Sequence, residues 1–390
     1  METKHIIYKN FNSKNKQSFK KKLTNSLNFK ILIQKYPLLK SLTNNYDYSF
    51  KKKYLLKFKK YDEFNLIGMG GSILGAQAIY DFLGHKIKKK FHFYNNLKNF
   101  KTKKSNKKRL NIIISKSGNT LETLSNLNLI LTKQKKNKNL IITENKNNIL
   151  RAIANKLKSD VLDHKNYIGG RYSVLSEVGM VPAELMGLNE KKFKRLNYLL
   201  KNKTFINFLI KNVSSIHSNI IKGKKNCVIL NYDEKLNNFL KWYQQLSAES
   251  LGKNGKGFFP IISTMPKDNH SLLQLYLDGP KNNFFSFFIS RERHPLRFNN
   301  SYLTEGLSHL KKKNLYQVLY AQTKATQNVF NKKNLSFRSF EIINKSEETL
   351  GELFTFFILE TLMLSSLLNV NPINQPSVEL IKIETKKILK

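Results

Sequence analysis

The segment NIIISKSGNTLETL, residues 111–124, gathers hydroxyl side chains where a predicted strand runs into a predicted helix. Ser115, Ser117 and Thr120 supply three hydroxyl donors, and Gly118 lets a ligand approach the backbone closely. A helix start also presents free N–H groups and the positive end of the helix dipole, which together favour an anion. The segment therefore predicts a phosphate site that needs no metal.

Ordinary helix capping is the alternative explanation of the same residues. Asn119 and Glu122 have the spacing of a capping pair, in which each side chain accepts a backbone N–H of the first turn. Ser, Thr and Asn are also the residue types that helix starts prefer. The spacing alone supports the phosphate site and the structural cap about equally.

A second corner of the same design lies upstream, in the segment LIGMGGSILG at residues 66–75. A predicted strand ends there in three glycines, Gly68, Gly70 and Gly71, which are followed by Ser72 and a predicted helix. The pattern is not the dinucleotide-binding fingerprint, because the next glycine falls too late and no acidic partner for a ribose is evident. Two such corners on adjacent parallel strands could converge on one small anionic ligand.

The spacing of apolar residues predicts strands that alternate with helices. Strands are predicted at residues 64–68, 111–115, 139–143, 160–162, 226–232, 258–262, 284–290 and 336–342. Helices are predicted at residues 73–84, 121–133, 147–158, 305–331 and 346–369, with a further helix that ends near Glu249. One face of the helix at 121–133 is predicted to carry Leu121, Leu124, Leu127 and Leu131. Such alternation indicates parallel sheets with crossover helices.

The predicted fold class is therefore α/β, with two domains that are each a parallel sheet flanked by helices on both faces. The first domain is predicted at residues 46–190 and the second at 223–370, joined by a helical connector at 191–222. A helical and polar extension at 1–45 precedes them, and an arm at 371–390 follows. A chain of 390 residues is long enough for two such cores.

The formal net charge of +43 raises the question of nucleic-acid binding. Lysine is mixed with asparagine along the whole chain, and no segment has zinc-ligand spacing or the aromatic pattern of an RNA-reading sheet. We therefore expect a basic, solvated surface that attracts anionic substrates, and no specific nucleic-acid partner.

The sequence favours a cytoplasmic protein without a membrane segment. Its one cysteine, Cys227, lies in an apolar run and predicts a buried thiol rather than a disulfide. The N-terminal residues show no apolar core of signal-peptide length. The most apolar run, at 353–368, contains Glu360 and is too short for a membrane span, so a buried helix is expected.

Beyond these patterns, several motifs carry a resemblance to a known family. GMGGS followed by SKSGNTLET resembles a sugar isomerase (SIS) domain, so that two SIS-type domains are implied. Four further motifs resemble, in the same order, the glucose-6-phosphate isomerase family: GGRYSVLSEVGMVPA, WYQQLSAESLGKNGKG, DNHSLLQLYLDGP and NQPSVELIK. The similarity covers about residues 64–390, and SKSGNT is the form of the compact bacterial type. Two mild departures are Asn269, where glutamine is commoner, and Ile381, where many members have glycine.

The resemblance implies a role for each matching residue. Four hydroxyl residues would hold the phosphate: Ser72, Ser115, Ser117 and Thr120. Lys116 and Gln245 would lie nearby, and Gly71 would belong to the same substrate-binding set. Glu249 would move a proton between C2 and C1, and Arg171 would stabilise the enediolate. His270 and Lys382 would open the sugar ring, and Gln375 would line the same pocket. In this family the histidine comes from the neighbouring subunit, which implies a homodimer with a shared site.

Aldose–ketose isomerisation is compatible with these residue types. One carboxylate can take a proton from a carbon and return it to the next, and a fixed guanidinium can stabilise the charge on the sugar oxygens. No step needs a metal or a redox cofactor, and the sequence has neither HxxxH nor CxxC spacing. The expected substrate is a sugar phosphate, and no cofactor is expected.

Two other functions remain open at this stage. Another sugar-phosphate isomerase of the same fold, acting on a phosphomannose or an aminosugar, would keep both corners, but the intact GGRYS and AESLGK motifs argue against it. A non-catalytic sugar-phosphate sensor would lose the acid–base residues, whereas Glu249, His270 and Lys382 are all present. Each of these residues, taken alone, could also be an ordinary cap, turn or surface residue.

Overall fold

The computed structural model describes residues 1–11, 29–97, 109–133, 137–291 and 296–389. Within these ranges the chain forms two five-stranded sheets with helices packed around them. Residues 12–28 of the predicted N-terminal extension lie outside the described residues.

The elements are numbered in chain order. The strands are β1 (Ile6–Lys9), β2 (Glu63–Ile67), β3 (Lys90–Tyr94), β4 (Arg109–Ile114), β5 (Lys138–Glu144), β6 (Asp160–His164), β7 (Asn226–Asn231), β8 (Phe259–Thr264), β9 (Asn283–Ser290) and β10 (Phe337–Ile342). The helices are α1 (Phe29–Lys35), α2 (Lys52–Leu55), α3 (Leu74–Phe82), α4 (Leu121–Lys133), α5 (Ile149–Lys156), α6 (Glu177–Leu185), α7 (Leu196–Lys201), α8 (Lys203–Ile221), α9 (Asn237–Leu251), α10 (Leu273–Asp278), α11 (Leu315–Lys332), α12 (Glu347–Leu368) and α13 (Val378–Ile388).

The first sheet has the strand order β3-β2-β4-β5-β6, and all of its pairs are parallel. Its central strands are runs of buried Leu and Ile, which is typical of strands that are covered on both faces. The chain passes from β2 to β3 on one side and then crosses to β4 on the other side. The carboxyl ends of β2 and β4 therefore form the topological switch point, where ligands of open α/β sheets bind.

The second sheet has the order β1-β10-β9-β7-β8. Its four later strands are parallel, and β1 pairs with β10 in the antiparallel direction. Helix α9 follows β7 and packs both on α3 of the first unit and on α12 of the second. The two α/β units are thus joined through a helix that carries the predicted base, Glu249.

The α/β fold class with two mainly parallel sheets is confirmed, and the predicted strands are present with small shifts at their ends. Two strands were missed, and both lie at sheet edges. The β3 sequence KFHFY follows a run of lysines and keeps several side chains half-exposed, so its apolar signal is weak. The first residues were predicted to be helical, but Ile6–Lys9 is a strand. The hydroxyls of Thr3 and Tyr8 each donate to the buried Glu352 carboxylate at 2.8 Å, which anchors this strand.

Two helix predictions need correction. The long helix predicted at 305–331 begins only at Leu315, because Lys312 has a φ of +60° and Asn314 starts α11 with a capping box to Gln317. Leu121 was expected on the buried face of α4, but its side chain is 45% exposed, and Ile130 is buried instead. Leu121 is the first residue of that helix, where neighbouring elements cover the side chains less than in the later turns.

Helix α12 is long and apolar enough to cross a membrane by length and composition alone. In the fold, 89% of its most apolar window is buried. It packs against α8, α9 and the turn Glu190–Phe193, as expected for a buried core helix.

A buried ion pair joins α12 to the second sheet. The Arg338 guanidinium of β10 is completely buried and pairs with the Glu360 carboxylate of α12. Arg338 Nε also donates to Ser286 Oγ at 2.8 Å, and Tyr243 Oη of α9 donates to Glu360 at 2.9 Å. Since two buried charges are stable only when their hydrogen bonds are satisfied, this network fixes α9 against the sheet.

Replacing Arg338 with methionine should lower the free energy of unfolding by about 3–5 kcal/mol, because Glu360 would remain buried without its cation. Urea denaturation at neutral pH measures the change. The control is Lys387→Met, which breaks the exposed pair with Glu384 (2.7 Å) and should change stability little. Equal destabilisation by both variants would contradict a special role for the buried pair.

Candidate active site

The two hydroxyl-bearing corners lie side by side at the switch point of the first sheet. β2 and β4 are paired in parallel, with Ile67 opposite Ile113, so their carboxyl ends are neighbours. A Cβ atom on Gly68 would lie 3.0 Å from the Ile114 carbonyl oxygen, so the glycine permits this close approach. Ser72 and the hydroxyls that follow β4 therefore border one crevice.

The loop after β4 is held in a fixed shape. Ser115 is buried and its Oγ lies 2.9 Å from Thr120 Oγ1, while the Asn119 amide donates to Ser117 Oγ at 3.3 Å. Gly118 has a φ of +68°, a left-handed conformation that glycine adopts without strain. The three hydroxyls thus cluster where α4 begins.

The predicted capping pair of Asn119 and Glu122 is wrong. The Asn119 side chain accepts the amide of Ile149 at 3.1 Å and so ties the loop to the start of α5. Asn148 caps α5 by accepting the Arg151 amide, and a Cβ on Gly118 would collide with the Asn148 side chain at 2.1 Å. This interlocking of the loop with α5 leaves the hydroxyls uncommitted to capping α4.

Lys116 was predicted near the phosphate, but its ammonium is turned toward the loops after β5 and β6. It donates to the Asn166 carbonyl at 2.7 Å and lies 3.4 Å from the Glu144 carboxylate. Burial opposes ionisation of Glu144, but the ammonium groups of Lys146 and Lys116 outweigh it and lower the pKa of that carboxyl. In this structure Lys116 therefore neutralises Glu144 beside the crevice.

Glycines bring the first corner against the turn that carries Arg171. A Cβ on Gly71 would lie 2.3 Å from the Gly170 carbonyl, and a Cβ on Gly70 would lie 2.7 Å from Gln245 Nε2. Gly70 also has a φ of +52°. Any larger residue at either position would push the corner away from Arg171 and from α9.

Arg171 is the centre of the site. It lies in the turn Gly170–Leu175 and is only 3% exposed. Its Nε donates to Ser250 Oγ at 2.9 Å, and its Nη1 donates to Glu249 at 3.1 Å and to the Gln375 side chain at 2.7 Å. Its Nη2 donates to three backbone carbonyls of the C-terminal arm, at Pro372, Ile373 and Asn374.

The Glu249 carboxylate lies in the last turn of α9 between two hydrogen-bond donors. Its Oε2 accepts from Arg171, and its Oε1 accepts from Gln245 Nε2 at 2.8 Å, one helical turn earlier. Its side chain is 29% exposed, so the carboxylate remains within reach of a ligand. Gln245 Oε1 is buried and has no hydrogen-bond partner among the described residues, so it can accept a hydrogen bond from a ligand.

Comparison with known proteins identifies the family. The model of the phosphoglucose isomerase family matches residues 49–259. The chain belongs to the phosphoglucose isomerase family. It is 32% identical to the glucose-6-phosphate isomerase of Methanocaldococcus jannaschii over 346 residues, which are 84% of this chain and 83% of that protein.

Solved structures show the same fold. A hypothetical protein from Thermus thermophilus superposes with a TM-score of 0.84 at 24% identity, over 95% of both chains. A glucose-6-phosphate isomerase from Chlamydia trachomatis superposes with a TM-score of 0.69 at 20% identity, over 87% of this chain and 72% of that chain. At these identities the likeness concerns the fold alone.

Of the residues that the phosphoglucose isomerase motifs single out, His270 lies apart from Glu249 within one chain. Gln244 Nε2 of α9 donates to the Pro260 carbonyl near the start of β8, so the later residue Glu249 lies beyond the amino end of that strand. His270 follows the carboxyl end of β8, whose six residues span about 20 Å at ~3.3 Å per residue. His270 is exposed, and none of the described residues hydrogen-bonds its ring.

Lys382 is the second such residue. It lies on α13, a helix without any buried residue, and it pairs with Glu379 at 2.6 Å while 60% of its side chain is exposed. The resemblance of its motif implies a role in ring opening, but in the single chain Lys382 contacts solvent. The structure thus brings together Arg171, Glu249, Gln245 and Gln375 and leaves His270 and Lys382 outside.

Sequence reasoning missed Ser250 and Tyr172 as members of the site. Ser250 Oγ accepts from Arg171 and lies 2.8 Å from Tyr172 Oη, which also donates to the Pro372 carbonyl at 3.0 Å. Ser250 directly follows Glu249, and Tyr172 directly follows Arg171. Both lie in the quoted motifs, which could therefore have identified them. Within the described ranges, no cluster of three or more His, Cys, Asp or Glu side chains could hold a metal ion.

Thr120→Val should weaken the binding of 6-phosphogluconate about 10- to 100-fold, because a hydrogen bond to a charged group contributes ~1.5–3 kcal/mol. The shape of the side chain is retained, but the buried Ser115 hydroxyl loses its partner, so the free energy of unfolding should fall by about 1–3 kcal/mol while the fold is kept. Isothermal titration calorimetry measures the affinity.

A matched control is Thr132→Val, twelve residues further along, in α4, where the hydroxyl donates to the Asn128 carbonyl of the same helix. That variant should bind like the parent. Unchanged affinity in Thr120→Val would refute the assignment of the corner to phosphate.

Proposed function

We propose that this chain interconverts glucose 6-phosphate and fructose 6-phosphate through an enediolate. The observation that carries the proposal is the Glu249 carboxylate, held between Arg171 and Gln245 beside two hydroxyl-bearing corners. The family and the names of its relatives support the same reaction. Such a reaction belongs to glycolysis and gluconeogenesis, and we place the protein in the cytoplasm.

The phosphate binds at the switch point of the first sheet. Ser115, Ser117 and Thr120 donate hydroxyl hydrogen bonds, and the free N–H groups at the start of α4 add partial positive charge. Ser72 and the backbone at Gly71 contribute from the neighbouring corner. Lys116 neutralises Glu144 beside the crevice, and the many other lysines of the chain raise the positive potential that attracts the anion.

Glu249 then moves one proton along the sugar. Its carboxylate removes the proton from C2 of the open-chain aldose, a double bond forms between C1 and C2, and the negative charge passes to O1. The same carboxyl group returns the proton to C1, the proton on O2 passes to O1, and the carbonyl forms at C2. A single base suffices because both carbons lie within its reach.

Arg171 stabilises the intermediate. A buried guanidinium that is already fixed in place supplies charge to the enediolate without reorganising, which is the most effective form of electrostatic catalysis. All of its nitrogens have partners in this structure, so a sugar oxygen must share or replace one of them. The Gln375 side chain is the partner that can move, since it belongs to the exposed arm.

Ring opening requires a second subunit in this proposal. His270 lies at the opposite end of the second sheet from Glu249, so a histidine of the same chain does not reach the sugar. The turn that presents His270 is well held, because Asp268 accepts from the Thr264 amide at 2.7 Å and from Ser263 Oγ at 2.8 Å. We propose a homodimer in which this turn completes the site of the partner, with Lys382 joining His270 in opening the ring.

Glu249→Gln should abolish exchange of the C2 hydrogen with solvent, because the amide cannot accept a proton. Loss of a general base typically lowers the rate ~10²–10⁴-fold. NMR of fructose 6-phosphate and glucose 6-phosphate in heavy water follows the exchange directly.

The same NMR sample contains its own control. Interconversion of the sugar anomers should persist in Glu249→Gln, since ring opening is assigned to His270 and Lys382. Exchange at C2 at the parental rate would show that another residue is the base.

Mixing inactive Glu249→Gln subunits with inactive His270→Ala subunits should restore part of the isomerase activity. Hybrid dimers would contain one site with both an intact Glu249 and an intact His270. Subunit exchange is verified by native mass spectrometry. If hybrid dimers form and remain inactive, the shared site is excluded.

A further inference from the structure

Two cations hold the beginning of the C-terminal arm by its carbonyl groups. Arg171 donates to the carbonyls of Pro372, Ile373 and Asn374, and Lys253 Nζ donates to the carbonyl of Asn371 at 2.6 Å. Four consecutive carbonyls of the arm therefore point at positive charge. The next residue, Gln375, places its side chain on Arg171.

Hydrogen bonds from Arg171, Lys253 and Tyr172, rather than apolar packing, determine where this part of the arm lies. In residues 371–375 only Pro372 is buried, and the other four residues are exposed. The Ile373 amide donates to Asn371 Oδ1 at 2.9 Å, so the backbone at Ile373 is held relative to Asn371. Without the tether at Asn371, the remaining hydrogen bonds from other described segments to residues 372–375 would be those of Arg171 and Tyr172.

Lys253 is itself held in place by the end of α9. Its ammonium also donates to the Ser250 carbonyl at 3.0 Å, and its side chain is half-buried. It comes four residues after Glu249 in the segment AESLGKNGKG, in a loop that leads from α9 to β8. A lysine in this position links the base-bearing helix to the arm that contacts Arg171.

We propose that Lys253 is a positioning residue for the isomerisation. By fixing the arm at Asn371, it keeps Gln375 and Arg171 correctly placed relative to the Glu249 carboxylate. The inference rests on the proposed function, and it assigns a task to a residue outside the set that contacts the sugar. Lys253 should affect how the catalytic groups are oriented toward C1 and C2 of the sugar. It should affect phosphate binding less, since the corners of the first sheet hold the phosphate.

The electrostatic surroundings make this tether sensitive to pH. Burial and the nearby Arg171 guanidinium lower the pKa of Lys253 to about 8, while the Glu249 carboxylate opposes the shift. The charged groups that face it are thus Arg171 from the turn after the first sheet and Glu249 from α9. As the pH rises through about 8 the ammonium loses its proton, and the charge-assisted bond to Asn371 becomes a weaker neutral one. Arginine at this position would stay charged throughout.

The test compares Lys253→Met, Lys253→Arg and Lys256→Met in the full-length enzyme. Lys256 is a matched control, because it lies in the same loop and donates to a carbonyl at 2.9 Å, but that carbonyl belongs to Leu368 at the end of α12. Lys253→Met should lower kcat about 10- to 100-fold with a smaller effect on KM, since misplacement by about 1 Å can cost that much. Lys253→Arg should retain most of the parental kcat. In the parent, kcat/KM should fall above pH 8, and Lys253→Arg should not show this fall. Lys256→Met should resemble the parent.

A double-mutant cycle with Gln375→Leu shows whether Lys253 acts through the arm. Lys253→Met should cost less in the Gln375→Leu background than in the parent, because the group to be positioned is already missing. Equal losses in both backgrounds, a parental kcat in Lys253→Met, or failure of the arginine variant to recover activity would each overturn the proposal.

Hydrogen exchange measured by mass spectrometry gives a readout that does not depend on activity. The peptide that contains residues 371–375 should exchange faster in Lys253→Met than in the parent and in Lys256→Met. If the parent fails to isomerise the sugar phosphates, the proposed function is wrong. Hydrogen exchange of residues 371–375 would still test whether Lys253 holds the arm. Parental exchange in Lys253→Met would overturn the inference even in an active enzyme.

Discussion

The site depends on the hydrogen bonds that the buried Arg171 guanidinium donates. A buried cation must use its hydrogen-bond donors, and Arg171 uses them on two segments that are far apart in the chain: the end of α9 and the arm at 372–375. Tight packing of Gly71 on Gly170 brings the first hydroxyl-bearing corner to the same place. One residue thereby connects Glu249, the arm and the crevice between β2 and β4.

The turn that carries Arg171 is supported from behind by a group of buried charges. Glu177, the first residue of α6, accepts hydrogen bonds from Tyr46 Oη at 3.1 Å and from the Ser49 amide at 3.0 Å. Lys194 donates to the Leu175 carbonyl at the end of the turn, and burial lowers its pKa to about 7. These contacts fasten residues 46–49 beneath the site, so the segment before the first sheet contributes to its rigidity.

On the other side, α9 is fixed by the ion pair between Arg338 and Glu360. Tyr243, which donates to Glu360, precedes Gln245 by two residues and Glu249 by six on the same helix. The core of the second sheet therefore determines the orientation of the residues that surround the base. The buried face of this helix anchors it in the core, and its last turn carries Glu249, the proposed base.

The sequence by itself determined the alternation of strands and helices, the start of α4, the two corners and the residues that the family's motifs mark. These signals are local, because buried strands, helix periodicity and glycine-rich turns each depend on residues close together in the chain. Only the tertiary structure decided that β1 completes the second sheet, that Asn119 ties its loop to α5 and that Lys116 pairs with Glu144. It also decided that Arg171 meets Glu249 and Gln375, whereas His270 and Lys382 face solvent in the single chain. The physical reason is that hydrogen-bond partners of buried polar groups are chosen by packing between distant segments, for which local patterns contain no information.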